Sequence, residues 1–213
     1  MGFGNGRADP RSPNPSASII SESCAIAVSQ SLIAASVQTE LNLWRRESGE
    51  HITALKGHTG SIWAIAIAPD ETWLATGAFD TTIKIWDLPT GALRLTLEGH
   101  GDRLRSLDIS ADGRWIASAG DDSEIRLWDA KTGGCQQILT GHQSRVRTLA
   151  FHPNGLWLVS GSFDETIRVW DIGTGECIQK LVAKLYAGMD ITGAKGLSEG
   201  TIASLKALGA VEA

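Results

Sequence analysis

The chain has 213 residues, of which 42% are hydrophobic and 20% are charged, and its formal net charge is −5. This length and apolar content allow one sizeable core, so a chain that is disordered throughout is excluded. The basic residues form no run, which argues against nucleic acid as the main partner. The most apolar N-terminal stretch, residues 18–37, is interrupted by polar residues and lacks a basic leader. Neither a signal peptide nor a membrane span is predicted, and we expect a soluble, cytoplasmic protein.

The first part of the chain is rich in Gly, Asn, Ser and Pro, and we predict a flexible segment over residues 1–17. Residues 18–55 contain a weak copy of a pattern that is clearest over residues 56–181. The three cysteines have no CxxC spacing, and we expect them to be free structural thiols: Cys24, Cys135 and Cys177.

A Gly-His pair followed by a Trp-Asp pair recurs every 42 residues along the chain. The copies are Gly57-His58 with Trp86-Asp87, Gly99-His100 with Trp128-Asp129, and Gly141-His142 with Trp170-Asp171. A period of about 40 to 45 residues bounded by these dipeptides is typical of the four-stranded blade of a β-propeller. Because one blade cannot bury both of its faces alone, the repeat predicts a stacked scaffold.

Each unit of the repeat has the residue order expected for four antiparallel strands. Apolar segments that alternate inward and outward are separated by Gly, Asn, Asp and Pro turns. Asp112-Gly113 and Asn154-Gly155 share one turn position, and both dipeptides suit hairpins. We therefore predict an all-β arc of β-propeller blades over residues 18–181. Its repeats lie at 56–97, 98–139 and 140–181, after a degenerate blade at 18–55.

The degenerate blade keeps the residues that shape the pattern but loses the polar ones. Trp44 and Gly49 fall 42 residues before Trp86 and Gly91. The positions of the Trp-Asp aspartate, the turn Asp, the Ser or Thr and the His hold Arg45, Gln38, Ala34 and Ser16. We expect this blade to keep its fold without the polar network of the other three.

Each good repeat also carries a Ser or Thr ten residues before its Trp and an Asp six residues before it. Together with the two dipeptides, these positions resemble the WD-repeat β-propeller family over residues of about 50 to 181. The resemblance implies that the His, Ser or Thr, Asp and Trp of each blade join one hydrogen-bonded tetrad that supports the fold. A buried indole N–H or His ring needs such partners, since leaving one unpaired costs about 1 to 3 kcal/mol. The implied structural tetrads are His58, Thr76, Asp80 and Trp86; His100, Ser118, Asp122 and Trp128; and His142, Ser160, Asp164 and Trp170.

The tetrads also contain the atom types of a nucleophile, a base and an orienting acid, as in Thr76, His58 and Asp80. A hydrolase-like enzyme that uses the propeller rim or channel is therefore the alternative function. We favour a non-enzymatic scaffold or sensor, because an enzyme needs one site in a pocket whereas this set occurs three times. One His and one Asp per blade are too few ligands for a metal site. We predict no catalytic residue, no metal and no cofactor.

Function on such a frame is expected at the blade rims, where the residues differ between repeats. In WD-repeat proteins, the positions three and five after the blade His and just before the tetrad Asp face the surface near the central channel, where partners dock. Trp, Phe and Arg dominate interface energetics, and Arg pairs acidic groups bidentately. We predict a protein or peptide partner, with an acidic or phosphorylated one favoured; the competing interpretation is that the arginines are solvated and the aromatics pack between blades. The predicted partner-binding residues are Trp63, Phe79, Arg103, Arg105, Asp121, Arg145, Arg147 and Phe163.

Residues 182–213 are predicted to form a separate C-terminal extension. Ser198 and Gly209 suit helix boundaries, and an apolar face lies between them, so we predict a short helix over residues 199–208. The extension also looks like the segment that follows the propeller of large bacterial WD-repeat signalling proteins. That likeness implies the ligand-reading end of a signalling system. The sequence has no GxxxxGK[ST] motif, so the resemblance does not imply that this chain binds or hydrolyses a nucleotide.

Three good blades and one degenerate blade are fewer than the seven that are commonest in the resembling family. An open arc exposes sheet edges and apolar faces at both ends. The terminal segments of the chain, a second arc in a homodimer, or missing blades of a longer gene product could cover them. We favour the homodimer or the missing blades, because closure with four blades needs a much wider angle between neighbours.

Overall fold

The computed structural model describes residues 23–182, with side chains from Ala25 onward. All regular structure in this range is β-strand, as the sequence predicts, and it is arranged in four sheets of four strands. The predicted flexible segment, Ser16 and the predicted helix over 199–208 lie outside the described residues. The strands of sheet 1 are β1 (Ser23–Val28), β2 (Leu32–Val37), β3 (Glu40–Arg45) and β4 (His51–Lys56); of sheet 2, β5 (Ile62–Ile67), β6 (Trp73–Ala78), β7 (Ile83–Asp87) and β8 (Leu93–Leu97); of sheet 3, β9 (Leu104–Ile109), β10 (Trp115–Gly120), β11 (Ile125–Asp129) and β12 (Cys135–Leu139); of sheet 4, β13 (Val146–Phe151), β14 (Trp157–Ser162), β15 (Thr166–Asp171) and β16 (Cys177–Val182).

Each sheet is an antiparallel meander in which every strand pairs with the next one in the chain. The first strands of neighbouring sheets contact each other, β1 with β5, β5 with β9 and β9 with β13. The four sheets therefore fan out in chain order from a shared inner side. This is the predicted arc of propeller blades.

The last hairpin of every sheet turns at a glycine with positive φ. Gly49, Gly91, Gly133 and Gly175 have φ values of 70°, 70°, 74° and 75°. Glycine adopts this left-handed conformation without steric cost, which explains why it recurs in the repeat. The degenerate blade retains its copy, so its chain reverses as the others do.

Three hydrophobic cores lie between the sheets, one at each junction. We call the face of a sheet that points toward the next sheet its C-side face, and the opposite face its N-side face. At the junction of sheets 2 and 3, Ile83, Ile85 and Leu97 on a C-side face pack with Ile116 and Trp128 on an N-side face. Equivalent residues form the other two cores: Leu41, Leu43, Leu55, Leu74 and Trp86, and Ile125, Leu127, Leu139, Leu158 and Trp170.

The junction of sheets 3 and 4 is also bridged by hydrogen bonds. The backbone N–H of Leu149 donates to Ser106 Oγ at 3.1 Å, and that of Phe151 donates to Asp108 Oδ2 at 2.7 Å. Burial raises the pKa of Asp108, although hydrogen bonds from the amides of Phe151 and Ile109 oppose the shift. Side chains of β9 thus hold the inner strand β13 in place, in addition to the packing between the two sheets.

Sheet 1 departs from the repeat in its first strand. Ala27 pairs with Ala34, whereas the equivalent position of sheet 2 pairs Ile65 with Thr76. A strict 42-residue period would place residue 23 opposite Ala34, so β1 is displaced by four residues. Ser36 joins this sheet to sheet 2, because its hydroxyl donates to the carbonyl of Ile62 at 3.1 Å.

Candidate functional site: the polar tetrads and the rim

The four predicted tetrad residues of sheet 2 meet in one hydrogen-bonded chain. Trp86 Nε1 donates to Thr76 Oγ1 at 2.8 Å, and His58 Nε2 lies 2.8 Å from the same hydroxyl. His58 Nδ1 lies 2.9 Å from Asp80 Oδ2. Thr76 and Trp86 come from paired strands, while His58 precedes the first strand and Asp80 lies in the turn after β6.

The proton positions in this chain follow from the donors available. An indole N–H can only donate, so Thr76 Oγ1 accepts from Trp86 and is left with one proton. That proton goes to His58 Nε2 at 2.8 Å, which is much closer than the other acceptor, the Lys84 carbonyl at 3.4 Å, so Nε2 is the unprotonated ring nitrogen. His58 Nδ1–H then donates to an ionised Asp80. The tetrad holds one neutral imidazole and one carboxylate, with every polar atom paired.

The pKa shifts agree with this assignment. Burial lowers the pKa of His58, against the opposing effect of Asp80. Burial alone would raise the pKa of Asp80, but hydrogen bonds from Thr82, His58 and the Thr59 amide outweigh it and hold the pKa at about 2. The network therefore favours the charge state that the hydrogen bonds require.

Sheets 3 and 4 repeat the same geometry. His100 Nδ1 lies 2.6 Å from Asp122 Oδ2, and His142 Nδ1 lies 2.8 Å from Asp164 Oδ2. In both sheets a serine hydroxyl connects the His ring to the Trp indole at 2.7 to 2.8 Å: Ser118 with Trp128, and Ser160 with Trp170. In sheet 1 the corresponding position is Ala34, which has no hydroxyl to make these bonds.

The arrangement leaves little for a tetrad to do as an acid, base or nucleophile. The side chains of His58 and His142 are fully buried, and Thr76 is fully buried as well. The Thr76 oxygen is already engaged by two partners. Within the described part of the chain, no group of three or more His, Cys, Asp or Glu side chains is placed to hold a metal ion. Cys135 and Cys177 are exposed free thiols.

The predicted rim residues of sheets 2 and 3 form one cluster. The rings of Trp63, on β5, and Phe79, after β6, stack with centroids 4.9 Å apart. The guanidinium of Arg105 lies 4.6 Å from the centroid of Phe79 and 5.2 Å from that of Trp63. Arg103 covers Phe79 at 4.9 Å. Each of these contacts is a cation–π interaction, which holds the arginine stems against a rigid aromatic base.

Arg105 is not a free cation. Its Nε and Nη2 donate to the two carboxylate oxygens of Asp121 at 2.9 and 2.6 Å, and both side chains are largely buried. This bidentate pair raises the pKa of Arg105 and lowers that of Asp121. Arg105 therefore serves as a fixed part of the cluster, and an incoming acid would have to displace Asp121 to pair with it.

The rim residues of sheet 4 make a second, more open cluster. Arg145 and Arg147 lie 5.6 and 6.0 Å from the centroid of Phe163, whose ring is exposed. Arg145 directly precedes β13, which contacts β9 and β10, the strands that carry Arg105 and lead into Asp121. The two clusters form one continuous surface, the rim strip, made of Trp63, Phe79, Arg103, Arg105, Asp121, Arg145, Arg147 and Phe163.

Three arginines of the rim strip are available to a partner. Arg103, Arg145 and Arg147 are exposed, and no salt bridge among residues 25–182 joins them to a carboxylate. The aromatic rings beneath them restrict where their guanidinium groups can lie. The strip thus presents fixed positive charge beside an exposed phenyl ring.

A shallow cavity of about 240 Å³ adjoins the strip on the inner side of sheets 1 to 3. Trp63 and Arg105 line it together with Ala25, Ile26 and Ser106. The last three were not predicted as site residues. For Ser106 the signal was available, since it follows Arg105 on the same strand. The sequence could not identify Ala25 and Ile26 as site residues, because β1 is displaced by four residues from the place in the sheet that the 42-residue period predicts.

The comparison with known families follows the same repeat. The family described as "WD domain, G-beta repeat" matches residues 49–87, 91–129 and 133–171, which is more than half of the chain. This protein belongs to the WD-repeat family. Each matched WD repeat starts at the turn glycine of one sheet, Gly49, Gly91 or Gly133, and ends at the Trp-Asp of the next, so the sequence unit spans two sheets. Among curated proteins no match was found.

WD repeats generally serve as scaffolds for protein–protein interaction, and the repeat architecture supports that general role here. The described residues include no helix that is long and apolar enough to cross a membrane.

Proposed function

We propose that this WD-repeat protein is a non-enzymatic scaffold or sensor that binds an acidic or phosphorylated peptide segment through the rim strip. The observation that carries the proposal is the set of three exposed, aromatic-supported arginines that form no salt bridge with any carboxylate of the described residues. A guanidinium binds a carboxylate or phosphate bidentately, and positions fixed in advance reduce the entropy that binding costs. Phe163 adds an exposed apolar surface of the kind that anchors peptide side chains.

The Arg105–Asp121 pair gives the strip a defined centre. Because the pair is already neutralised, we expect the acidic groups of a bound peptide to contact Arg145 and Arg147 on one side and Arg103 on the other. A single phosphate between Arg145 and Arg147 would accept several charge-assisted hydrogen bonds, each worth about 1.5 to 3 kcal/mol. This arrangement favours a phosphorylated segment over a uniformly acidic one.

We also propose that the protein catalyses no reaction. The three tetrads are alike in geometry, and their hydroxyls are buried and occupied, which supports a structural role for all of them. We likewise propose that the protein is cytoplasmic and is the ligand-reading end of a bacterial signalling system. That proposal rests on the resemblance of residues 182–213, which lie almost wholly outside the described residues. Finally, we propose that the uncovered ends of the arc are covered by a second copy or by further blades.

Binding can be tested with three fluorescein-labelled peptides of the same length, in which serine is unmodified, replaced by glutamate or phosphorylated. Fluorescence anisotropy should show the order phosphorylated, acidic, neutral. The double variant Arg145→Gln, Arg147→Gln should weaken binding of the phosphorylated peptide at least about tenfold, as expected for the loss of one or more charge-assisted hydrogen bonds.

The matched control is Arg114→Gln. Arg114 is also exposed and also lies over an aromatic ring, that of Trp115. It belongs to the turn between β9 and β10, at the end of these strands opposite to the rim strip. Arg114→Gln should leave binding of the phosphorylated peptide unchanged. Equal binding of the three peptides, or equal losses for Arg114→Gln and the double variant, would remove the proposal.

A further inference from the structure

Among the described residues, 23–182, none covers the C-side face of sheet 4, although its residues are those that fill the cores elsewhere. Ile83 and Ile125 are 0% exposed, while the equivalent Ile167 is 42% exposed. Leu97 and Leu139 are 3% and 2% exposed, while Leu181 is 46% exposed. Exposed apolar residues grouped on one face of a sheet are typical of an interaction site.

The N-side face of sheet 1 likewise has no neighbour in the part of the chain that the structure describes. In sheets 2, 3 and 4 this face carries a Leu or Ile and a Trp that are almost fully buried against the preceding sheet, as Leu158 and Trp170 are. Sheet 1 has Leu32 and Trp44 at these positions, and both are only partly buried. Sheets 1 and 4 thus carry the two halves of one more junction.

The turn glycines show what the missing half would contact. A side chain at Gly91 would touch Leu55 of the preceding sheet, one at Gly133 would touch Leu97, and one at Gly175 would approach Leu139. At Gly49 a side chain would meet none of the described residues within 4 Å. The leucine that continues this series is Leu181, which is the exposed one.

We propose that two copies of this chain join head to tail, with the C-side face of sheet 4 in each copy packed on the N-side face of sheet 1 in the other. The contact forms twice, because a two-fold axis relates the two copies, and together the two contacts close a ring of eight blades. Eight blades lie within the range of known propellers. The chain itself supplies both complementary faces, which is why a second copy fits better than an unrelated partner. The assembly is independent of the peptide proposed for the rim strip.

The test is the mass of the full chain in solution, measured by sedimentation velocity at micromolar concentration. We expect twice the 22.7 kDa of one chain. Ile167→Lys should reduce the mass to that of one chain, because it places a charge at the centre of the proposed junction. The matched control is Ile178→Lys, which makes the same change at an exposed isoleucine on β16, at the β-bulge between the residues paired with Val169 and Trp170. It should leave the dimer intact.

Mixing two variants separates the head-to-tail arrangement from a back-to-back pairing of two sheet 4 faces. Ile167→Lys blocks one half of the junction and Leu32→Lys blocks the other, so each variant alone should be monomeric. Their mixture retains one intact face of each kind and should recover a dimer. Circular dichroism would confirm that both variants are folded, and Leu181→Lys replaces Ile167→Lys if that variant is not.

Three results would overturn the proposal. The first is a monomeric wild-type chain, as expected if residues 183–213 cover the face themselves. The second is a dimer that survives Ile167→Lys, and the third is a mixture that stays monomeric. A loss of the dimer with unchanged peptide binding would leave the rim proposal standing.

Discussion

Replacement of Thr76 by Val tests how much one tetrad contributes to stability. The two side chains have nearly the same shape, so the change removes the hydroxyl without opening a large cavity. It leaves the indole N–H of Trp86 and the Nε2 acceptor of His58 without their partner, at a site that is fully buried. Each unpaired buried group costs about 1 to 3 kcal/mol. The free energy of unfolding should therefore fall by about 2 to 6 kcal/mol, a large share of the stability of an ordinary domain.

Urea denaturation followed by tryptophan fluorescence measures this change, as a lower midpoint with an unchanged slope. Thr96→Val is the matched control, since Thr96 is an exposed strand residue whose hydroxyl accepts a hydrogen bond from Lys84. Its effect should stay within about 0.5 kcal/mol. If Thr76→Val were as mild as Thr96→Val, the tetrad would not stabilise the sheet and the reasoning would be wrong. A second check is Trp86→Phe in the Thr76→Val background. The two losses should be less than additive, because the first change has already broken the hydrogen bond that the second removes.

Two further outcomes follow from the structure. Gly60→Ala should destabilise the protein by about 1 to 3 kcal/mol in thermal denaturation, because the new Cβ would collide with the backbone nitrogen of Asp80. Gly101→Ala is the control and should be nearly neutral, because a Cβ there would have no contact closer than 3.9 Å. Mild acid should also destabilise the fold. Because the pKa of His58 is below its ordinary value of 6.5, the unfolded chain binds protons first, and its contribution to stability is lost as pH falls below that value. Asp80, with a pKa of about 2, should keep its contribution above about pH 4 and lose it toward pH 2. Unfolding free energies that stay constant between pH 7 and pH 5 would contradict the assignment of a neutral buried imidazole.

Much of the fold could be predicted because the information is periodic. The 42-residue spacing places each Trp opposite the same partners, so strand order and turn glycines follow from one pattern, while the pairing of His58 with Asp80 was implied by the family resemblance. The first strand could not be placed in this way. Sheet 1 has Ala34 and Gln38 where a tetrad would fix the register, and β1 lies four residues from its periodic position.

The rim was predicted as a set of positions but not as a network. The sequence identifies Arg105 and Asp121 as rim residues, and it does not say that they pair. The strand register brings them together, since Gly120 pairs with Leu104 and the amide of Asp121 donates to the carbonyl of Arg103. The side-chain geometry therefore determines which arginines remain available to a partner, and the spacing of residues in the sequence does not predict it. Partner binding by these residues stays a prediction.

The bridge from Ser106 and Asp108 to sheet 4 has a consequence for how such chains lengthen by duplication. Its donors are the backbone amides of Leu149 and Phe151, which every residue except proline provides. The acceptors on sheet 3 therefore do not depend on the side chains of the blade that follows. A duplicated copy of this unit, inserted anywhere in the array, would carry its own means of holding the next inner strand. Gain and loss of blades could then proceed without matched substitutions on the neighbouring strand.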